Sequence, residues 1–195
     1  MEKRKDAFLP LFSEIDRRLG KENLTVVIEG SSASGKTTLG EMLGEIYGCA
    51  VLHTDDFFLR PEQRTPERYA QIGGNVDYER FLEEVLIPLK KGEEINYRRF
   101  DCKTMLLQPA VKINPGKLTV IEGAYSMHPK FSGYYDFSVF LDISPELQRE
   151  RILRRNTPEK AERFFNEWIP FEKRYFSATD VKGRCDLVLK ISSDE

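Results

Sequence analysis

Eight consecutive residues, Gly30-Ser31-Ser32-Ala33-Ser34-Gly35-Lys36-Thr37, fit the spacing G-x-x-x-x-G-K-[ST]. Glycines at those positions let successive backbone N–H groups converge on one anion, and a helix starting just after them adds the positive end of its dipole. In such a loop Lys36 reaches the β- and γ-phosphates of a nucleoside triphosphate, and the Thr37 hydroxyl is placed to ligate Mg²⁺. Thr38 completes the set of expected nucleotide-binding residues. An Asn-Lys-x-Asp guanine-reading motif is absent, as is the Asp-Glu pair that motor-type ATPases carry after an apolar strand. What remains is ATP, with Mg²⁺, serving a small-molecule kinase.

Phosphoryl transfer needs a group to accept the proton of the attacking hydroxyl and a carboxylate to help hold the metal. Asp55 and Asp56 follow the apolar run Ala50 to His53, and Glu122 closes the run Leu118 to Ile121. Strand ends of this kind form the ligand edge of open α/β sheets. Asp55 is the favoured catalytic base, and it also joins Thr37 and Glu122 as a candidate metal ligand. Asp56 divides between a supporting role at the substrate and a helix cap. Glu29 ends a run much like that of Glu122, but the phosphate loop already occupies its strand end, so it reads as a surface strand end.

The elements that must position these groups are legible as an alternation. Leu24 to Gly30 and Leu118 to Gly123 are continuous β-branched runs, the pattern of central parallel strands buried on both faces. Ala50 to His53, Phe137 to Ile143 and Asp186 to Ile191 are further strands, with helical patterns near 37–47, 78–90, 145–156 and 159–176. Alternating strands and helices indicate a three-layer α/β fold, a parallel sheet flanked by helices. An amphipathic helix around 6–19 should pack on the sheet edge. Ser144-Pro145 reads as an N-cap and first helical residue, and Pro170 should kink or split its helix near Ile169. Residues 57–77, with two prolines and Gly73-Gly74, read as a long binding loop.

With 195 residues, 40% hydrophobic and 32% charged, the chain fits one domain. Thirty basic residues against 32 acidic ones give a net charge of −2, which removes a global reason to expect nucleic acid. No apolar run approaches the roughly 18 residues of a membrane span, and the start lacks a secretory pattern, so a cytoplasmic protein is expected. Cys49, Cys102 and Cys185 are too scattered for a disulfide framework or a zinc site. The expected partner is a small molecule, with no nucleic acid and no membrane, and homo-oligomer formation is left open.

The order His53-Thr54-Asp55-Asp56-Phe57-Phe58, Gly74-Asn75-Val76-Asp77-Tyr78, Tyr97 to Asp101, then Val120-Ile121-Glu122-Gly123 resembles the uridine kinase and phosphoribulokinase superfamily over roughly 24–156. The Asp-Asp-Phe-Phe run is similar to nicotinamide riboside kinases and bacterial uridine kinase-like proteins. The resemblance implies that Asp55 is the base for a sugar 5′-hydroxyl, that Glu122 works with Thr37 around Mg²⁺, and that Asp77 holds ribose hydroxyls. From the residues alone, Asp77 is equally an N-cap for the helix starting at Tyr78. Tyr97 matches a base-contacting tyrosine, although a strand tyrosine is as often core. Uridine-cytidine kinases carry a histidine five residues after that tyrosine, where this chain has Cys102, so the base is left open. The resemblance therefore implies a nucleoside 5′-kinase, with pantothenate or glycerate kinases and a non-catalytic ATP-binding regulator as alternatives.

Arg151 shares a helical face with Arg154 and Arg155. Kinases of this type place such arginines on a lid, here about 151–163, to stabilise charge on the transferred phosphoryl, and Arg151 and Arg155 are the candidates. Arg60, Arg64, Arg98 and Arg99 are secondary candidates for substrate contact. Phe164, Phe165, Trp168 and Ile169 read as core. The substrate-binding insertion is expected over about 57–115.

Overall fold

The computed structural model describes residues 2–20 and 23–192, with side chains from residue 7 onward. Five parallel strands form the central sheet in the order β2-β7-β1-β8-β9: β1 Leu24–Gly30, β2 Ala50–His53, β7 Leu118–Glu122, β8 Phe137–Ile143 and β9 Leu187–Ile191. Every residue of β1 and β7 is buried, as the two unbroken apolar runs require. The strand runs expected from the sequence match within one residue, and the helices α2 Lys36–Tyr47, α6 Pro145–Arg155 and α8 Ile169–Thr179 fall where the periodicity put them.

Helix α1, Glu2–Arg18, covers the far edge of the sheet, and its Leu11 and Ile15 are fully buried beside β1, β8 and β9 residues. Ser144 caps α6 through its hydroxyl, which accepts the Leu147 N–H at 3.2 Å, and Pro145 is the first helical residue. The proline effect at Ile169 is a change of helix type. A π-turn at Phe164–Trp168 separates α7, Pro158–Arg163, from α8, where Pro170 falls in the first turn. Pro88 does the same between the π-turn Leu82–Leu86 and α5, Ile87–Lys91. A proline has no N–H to give the preceding turn, and a wider turn accommodates the missing bond.

Residues 57–77, expected as a long binding loop, carry short helical turns that the sequence reading did not place. The segment folds back on itself through 3₁₀ turns and the short α3, Pro66–Ala70, and its ends meet where the Asp77 N–H donates to Phe57 O at 2.7 Å. Arg68 staples the excursion from inside, donating to Gly74 O, Val76 O and the Glu79 carboxylate at 2.7 to 3.0 Å. Helix α4, Tyr78–Phe81, follows at once. Two small antiparallel pairs then lie between α5 and β7. They join β3 Ile95–Tyr97 to β6 Val111–Ile113, and β4 Phe100–Asp101 to β5 Leu106–Leu107.

Candidate active site

Strand register assembles the site. β7 lies between β1 and β2, and Glu122 at its end is opposite both Ile28 and His53. The phosphate loop leaves β1 on one side of Glu122, and the Asp55 turn leaves β2 on the other. Thr54, fully buried, ties that turn to β7 by donating to Glu122 O at 3.3 Å or Ala124 O at 3.2 Å. The approach needs a glycine: a Cβ on Gly123, at φ 141°, would lie 2.1 Å from Thr54 Oγ1.

In the phosphate loop Gly35 takes φ 102°, a left-handed conformation that aims the loop into α2. Lys36 is 8% exposed, and its ammonium donates to Gly30 O at 2.7 Å and Ser31 O at 3.0 Å. Thr37 Oγ1 donates to Glu122 Oε1 at 3.1 Å. The same oxygen accepts from His53 Nδ1 at 2.5 Å, since an ionised carboxylate only accepts, and this bond raises the imidazole above its ordinary range. A threonine hydroxyl beside one carboxylate fits Mg²⁺, a hard cation that takes few protein oxygens and completes its shell with phosphate and water. Thr38, exposed, lies in the first turn of α2.

Asp55 is open to solvent on one side and surrounded by protein on the others. That surrounding protein pushes its carboxyl up to about 6; Lys36 pulls the other way, and Glu122 and Glu172 add to the rise. A carboxylate in that range is still mainly ionised at neutral pH, the state a general base requires. Asp56, next in sequence, is engaged: its Oδ2 accepts from the Tyr97 hydroxyl at 2.7 Å and pairs with Arg99 Nε at 3.2 Å.

Tyr97 is 2% exposed and packs edge-on against Phe57, with ring centroids 5.4 Å apart. Its hydroxyl also accepts the His53 N–H at 3.0 Å. The core alternative therefore describes Tyr97, whose contacts hold the Asp55-Asp56 turn in place. Asp77 takes the N-cap role: Oδ1 caps α4 by accepting the Arg80 N–H at 3.2 Å, while Oδ2 is buried and makes no hydrogen bond. Cys102 is exposed.

The two lid arginines separate. Arg151 donates to Ala33 O and Ser34 O at 3.3 and 3.4 Å, on the carbonyl side of the phosphate loop. Arg155 lies over the Phe164 ring, 5.4 Å from its centroid, with its charge in range of Glu172 and Asp55. Of the cluster expected as core, Phe164 and Ile169 pack with Ile152 and Ala161 beneath Ala33 of the loop, while Phe165 and Trp168 are half-buried against them.

Two carboxylates were misjudged or missed. Glu29 is fully buried rather than at the surface, with three donors on it: Gly30 N–H at 2.9 Å, Met127 N–H at 3.1 Å and the Tyr175 hydroxyl at 3.2 Å. Burial still pushes it up to about 8, against the pull of Lys36. Glu172 of α8, 4% exposed, accepts from both the N–H and the hydroxyl of Ser32. From α6, Gln148 donates to Ser32 O at 3.0 Å. Nothing local in the sequence marks Glu172, because its partner is 140 residues away.

A family model, phosphoribulokinase / uridine kinase, matches residues 25–164. The chain belongs to that family. Among curated relatives, the phosphoribulokinase of Synechocystis sp. is 28% identical over 138 residues, 68% of this chain and 42% of that protein. The chloroplastic phosphoribulokinase of Spinacia oleracea is 24% identical over 162 residues, 72% and 40% of the two chains. The chain thus spans about two-fifths of the length of the curated relatives it matches. Solved structures share the fold of this family member. That of a possible uridine kinase from Bacillus stearothermophilus has a TM-score of 0.72 and 23% identity, covering 97% of this chain and 100% of the other. The D-glycerate 3-kinase from Cryptococcus neoformans var. grubii has a TM-score of 0.60 and 13% identity, with 89% and 87% covered. Among the described residues no helix is long and apolar enough to cross a membrane.

Proposed function

We propose that this family member is an ATP-dependent kinase that transfers the γ-phosphoryl group to a hydroxyl of a small metabolite in the cytoplasm. The observation that carries this reading is the placement of Glu122. It touches Thr37 of the phosphate loop at 3.1 Å and belongs to the strand end that anchors the Asp55 turn. Asp55 takes the proton of the attacking hydroxyl. Lys36 leaves its loop carbonyls for the β- and γ-phosphates, and Arg155 approaches the transferred group from the lid. Thr37 and Glu122 would hold Mg²⁺, with Asp55 able to join them, and the metal would supply neutralisation of phosphate charge. Asp77 is the candidate for the acceptor hydroxyls, which requires its buried Oδ2 to become accessible.

Within that reading the nucleoside implied by the resemblance rests on Asp77 alone, since Tyr97 is in the core. Another metabolite alcohol is the second reading, favoured by that burial and by exposed Cys102 in place of a histidine. The test is ATP consumption by purified protein with nucleosides, nicotinamide riboside, simple sugars and sugar alcohols, pantothenate and glycerate offered in turn. Acceptor-stimulated ADP release is expected. A protein that binds ATP but responds to none of them is a regulator, and the kinase reading fails.

A further inference from the structure

Helix α8 touches two regions that phosphoryl transfer must bring together. One stripe of it, Glu172 and Tyr175, holds the phosphate-loop side. Glu172 accepts from the N–H and hydroxyl of Ser32, and the Tyr175 hydroxyl donates at 3.2 Å to Glu29, the residue just before the loop. The neighbouring stripe, Phe171 and Arg174, holds the 57–77 excursion. The Phe171 ring is stacked on that of Tyr69, with centroids 6.1 Å apart and planes at 23°. Arg174 Nη2 donates to Tyr69 O at 2.6 Å and to Gln71 O at 3.1 Å. The members of each pair are three residues apart, so each pair shares a helical face.

Arg174 is exposed, so burial does not account for its geometry. Its two acceptors are carbonyls at the C-terminal end of α3, which lack intrahelical donors and which an arginine is suited to serve. From there the path to the chemistry is short. Gln71 Oε1 accepts the Tyr78 hydroxyl at 2.7 Å, and Arg68 ties Gly74 O and Val76 O. The excursion closes where the Asp77 N–H meets Phe57 O, two residues beyond Asp55. Its internal bonds make the excursion one piece, and Phe171 and Arg174 fasten that piece to α8.

We propose that α8 is a strut coupling the phosphate loop to the excursion beside Asp55, and that Arg174 is a positioning residue for transfer, setting the acceptor side against the nucleotide side. Nucleotide that orders Ser32 orders Glu172 and, through α8, the α3 carbonyls held by Arg174. An acceptor that orders the excursion favours nucleotide to the same degree. The role in transfer rests on the kinase reading above; the coupling rests only on nucleotide binding.

Hydrogen exchange of wild type and Arg174→Ala, each with and without Mg²⁺ and adenylyl imidodiphosphate, reads the coupling without turnover. The Tyr69, Gln71 and Gly74 amides are hydrogen-bonded within the excursion at 3.0 to 3.2 Å, so their exchange reports its opening. The analogue should slow them about fivefold or more in wild type and less than about twofold in Arg174→Ala, with similar melting temperatures. Arg174→Lys, which keeps a donor for these carbonyls, should recover part of the effect. Phe171→Leu loses the ring stacked on Tyr69 and should also reduce the slowing; it carries the test if Arg174→Ala does not fold. Slowing as large in the folded variants as in wild type overturns the proposal, as does no slowing in wild type that calorimetry shows to bind the analogue. With an active acceptor, Arg174→Ala should raise the acceptor KM by about tenfold while affinity for the analogue alone stays within about threefold, and an unchanged acceptor KM removes the positioning role. If the slowing depends on Arg174 but no acceptor drives ADP release, the strut stands and the kinase reading fails. If an acceptor drives release and both proteins slow alike, the kinase reading stands and this inference fails.

Discussion

Glu172 sets both carboxylate oxygens on Ser32, one on the main-chain N–H at 3.0 Å and one on the hydroxyl. An acidic side chain is thereby built into a loop whose other N–H groups are shaped for an anion. α8 approaches the loop from one side, and α6, through Gln148, holds Ser32 O from the other. The phosphate loop is thus clamped by the two helices that flank α7.

If the clamp sets the loop geometry, Glu172→Ala should raise the KM for ATP by about tenfold or more, in line with loss of hydrogen bonds to a charged group worth ~1.5–3 kcal/mol. Glu172→Gln keeps an acceptor for the Ser32 N–H and should stay within a few-fold of wild type. Steady-state kinetics at varied ATP, with melting temperatures for both variants, decide the matter. An unchanged KM in a well-folded Glu172→Ala protein would remove the clamp from the account.

Glu29 gives a pH prediction. Its folded-state pKa of about 8 is above the ordinary 4.5. The native protein then holds a proton that the unfolded chain has released, so this contribution to stability is full below about 4.5 and is lost as pH rises through about 8. Glu29→Gln stays neutral and can still accept from Gly30 N–H, but the amide nitrogen in place of Oε2 no longer accepts from Met127 N–H, so the comparison is of the pH slope and not of absolute stability. The variant's melting temperature should fall less than wild type's between pH 5 and pH 8, in units chosen to bracket the transition. Parallel melting curves for the two proteins would show Glu29 to be ionised throughout, held by its three donors.

Tyr97 is predicted to act through stability. Tyr97→Phe leaves the His53 N–H and Asp56 Oδ2 without their shared hydroxyl, at a cost of about 1–3 kcal/mol. Chemical denaturation should register that loss, while the KM for whichever acceptor proves active changes by no more than a few-fold. A large rise in acceptor KM at unchanged stability would return Tyr97 to the substrate pocket.

The fold was legible because its signals are local. Strand runs such as Val26 to Ile28 and Val120 to Ile121 are apolar without alternation, and caps such as Ser144-Pro145 announce helix starts within four residues. The phosphate loop was legible for the same reason. What the sequence concealed depends on contacts between distant segments. Glu29 and Glu122 end nearly identical strands, yet Glu122 meets Thr37 and His53 while Glu29 is enclosed by Met127 and Tyr175. Residues 57–77 read as a long loop because of two prolines and Gly73-Gly74, whereas their order comes from Arg68 reaching across the excursion to residues 74–79. The cap role of Asp77 was one of two readings from its position, and the structure shows it in the bond from the Arg80 N–H to Oδ1.

The central claim is that Asp55 is the base in ATP-dependent transfer to a small hydroxyl. The most direct measurement compares acceptor-stimulated ADP release by wild type and Asp55→Asn, together with ATP affinity for each. The account predicts a kcat lower by about 100-fold or more in the variant, the size of a general-base contribution, with ATP affinity within a few-fold of wild type. Transfer by Asp55→Asn at a rate comparable to wild type would contradict it.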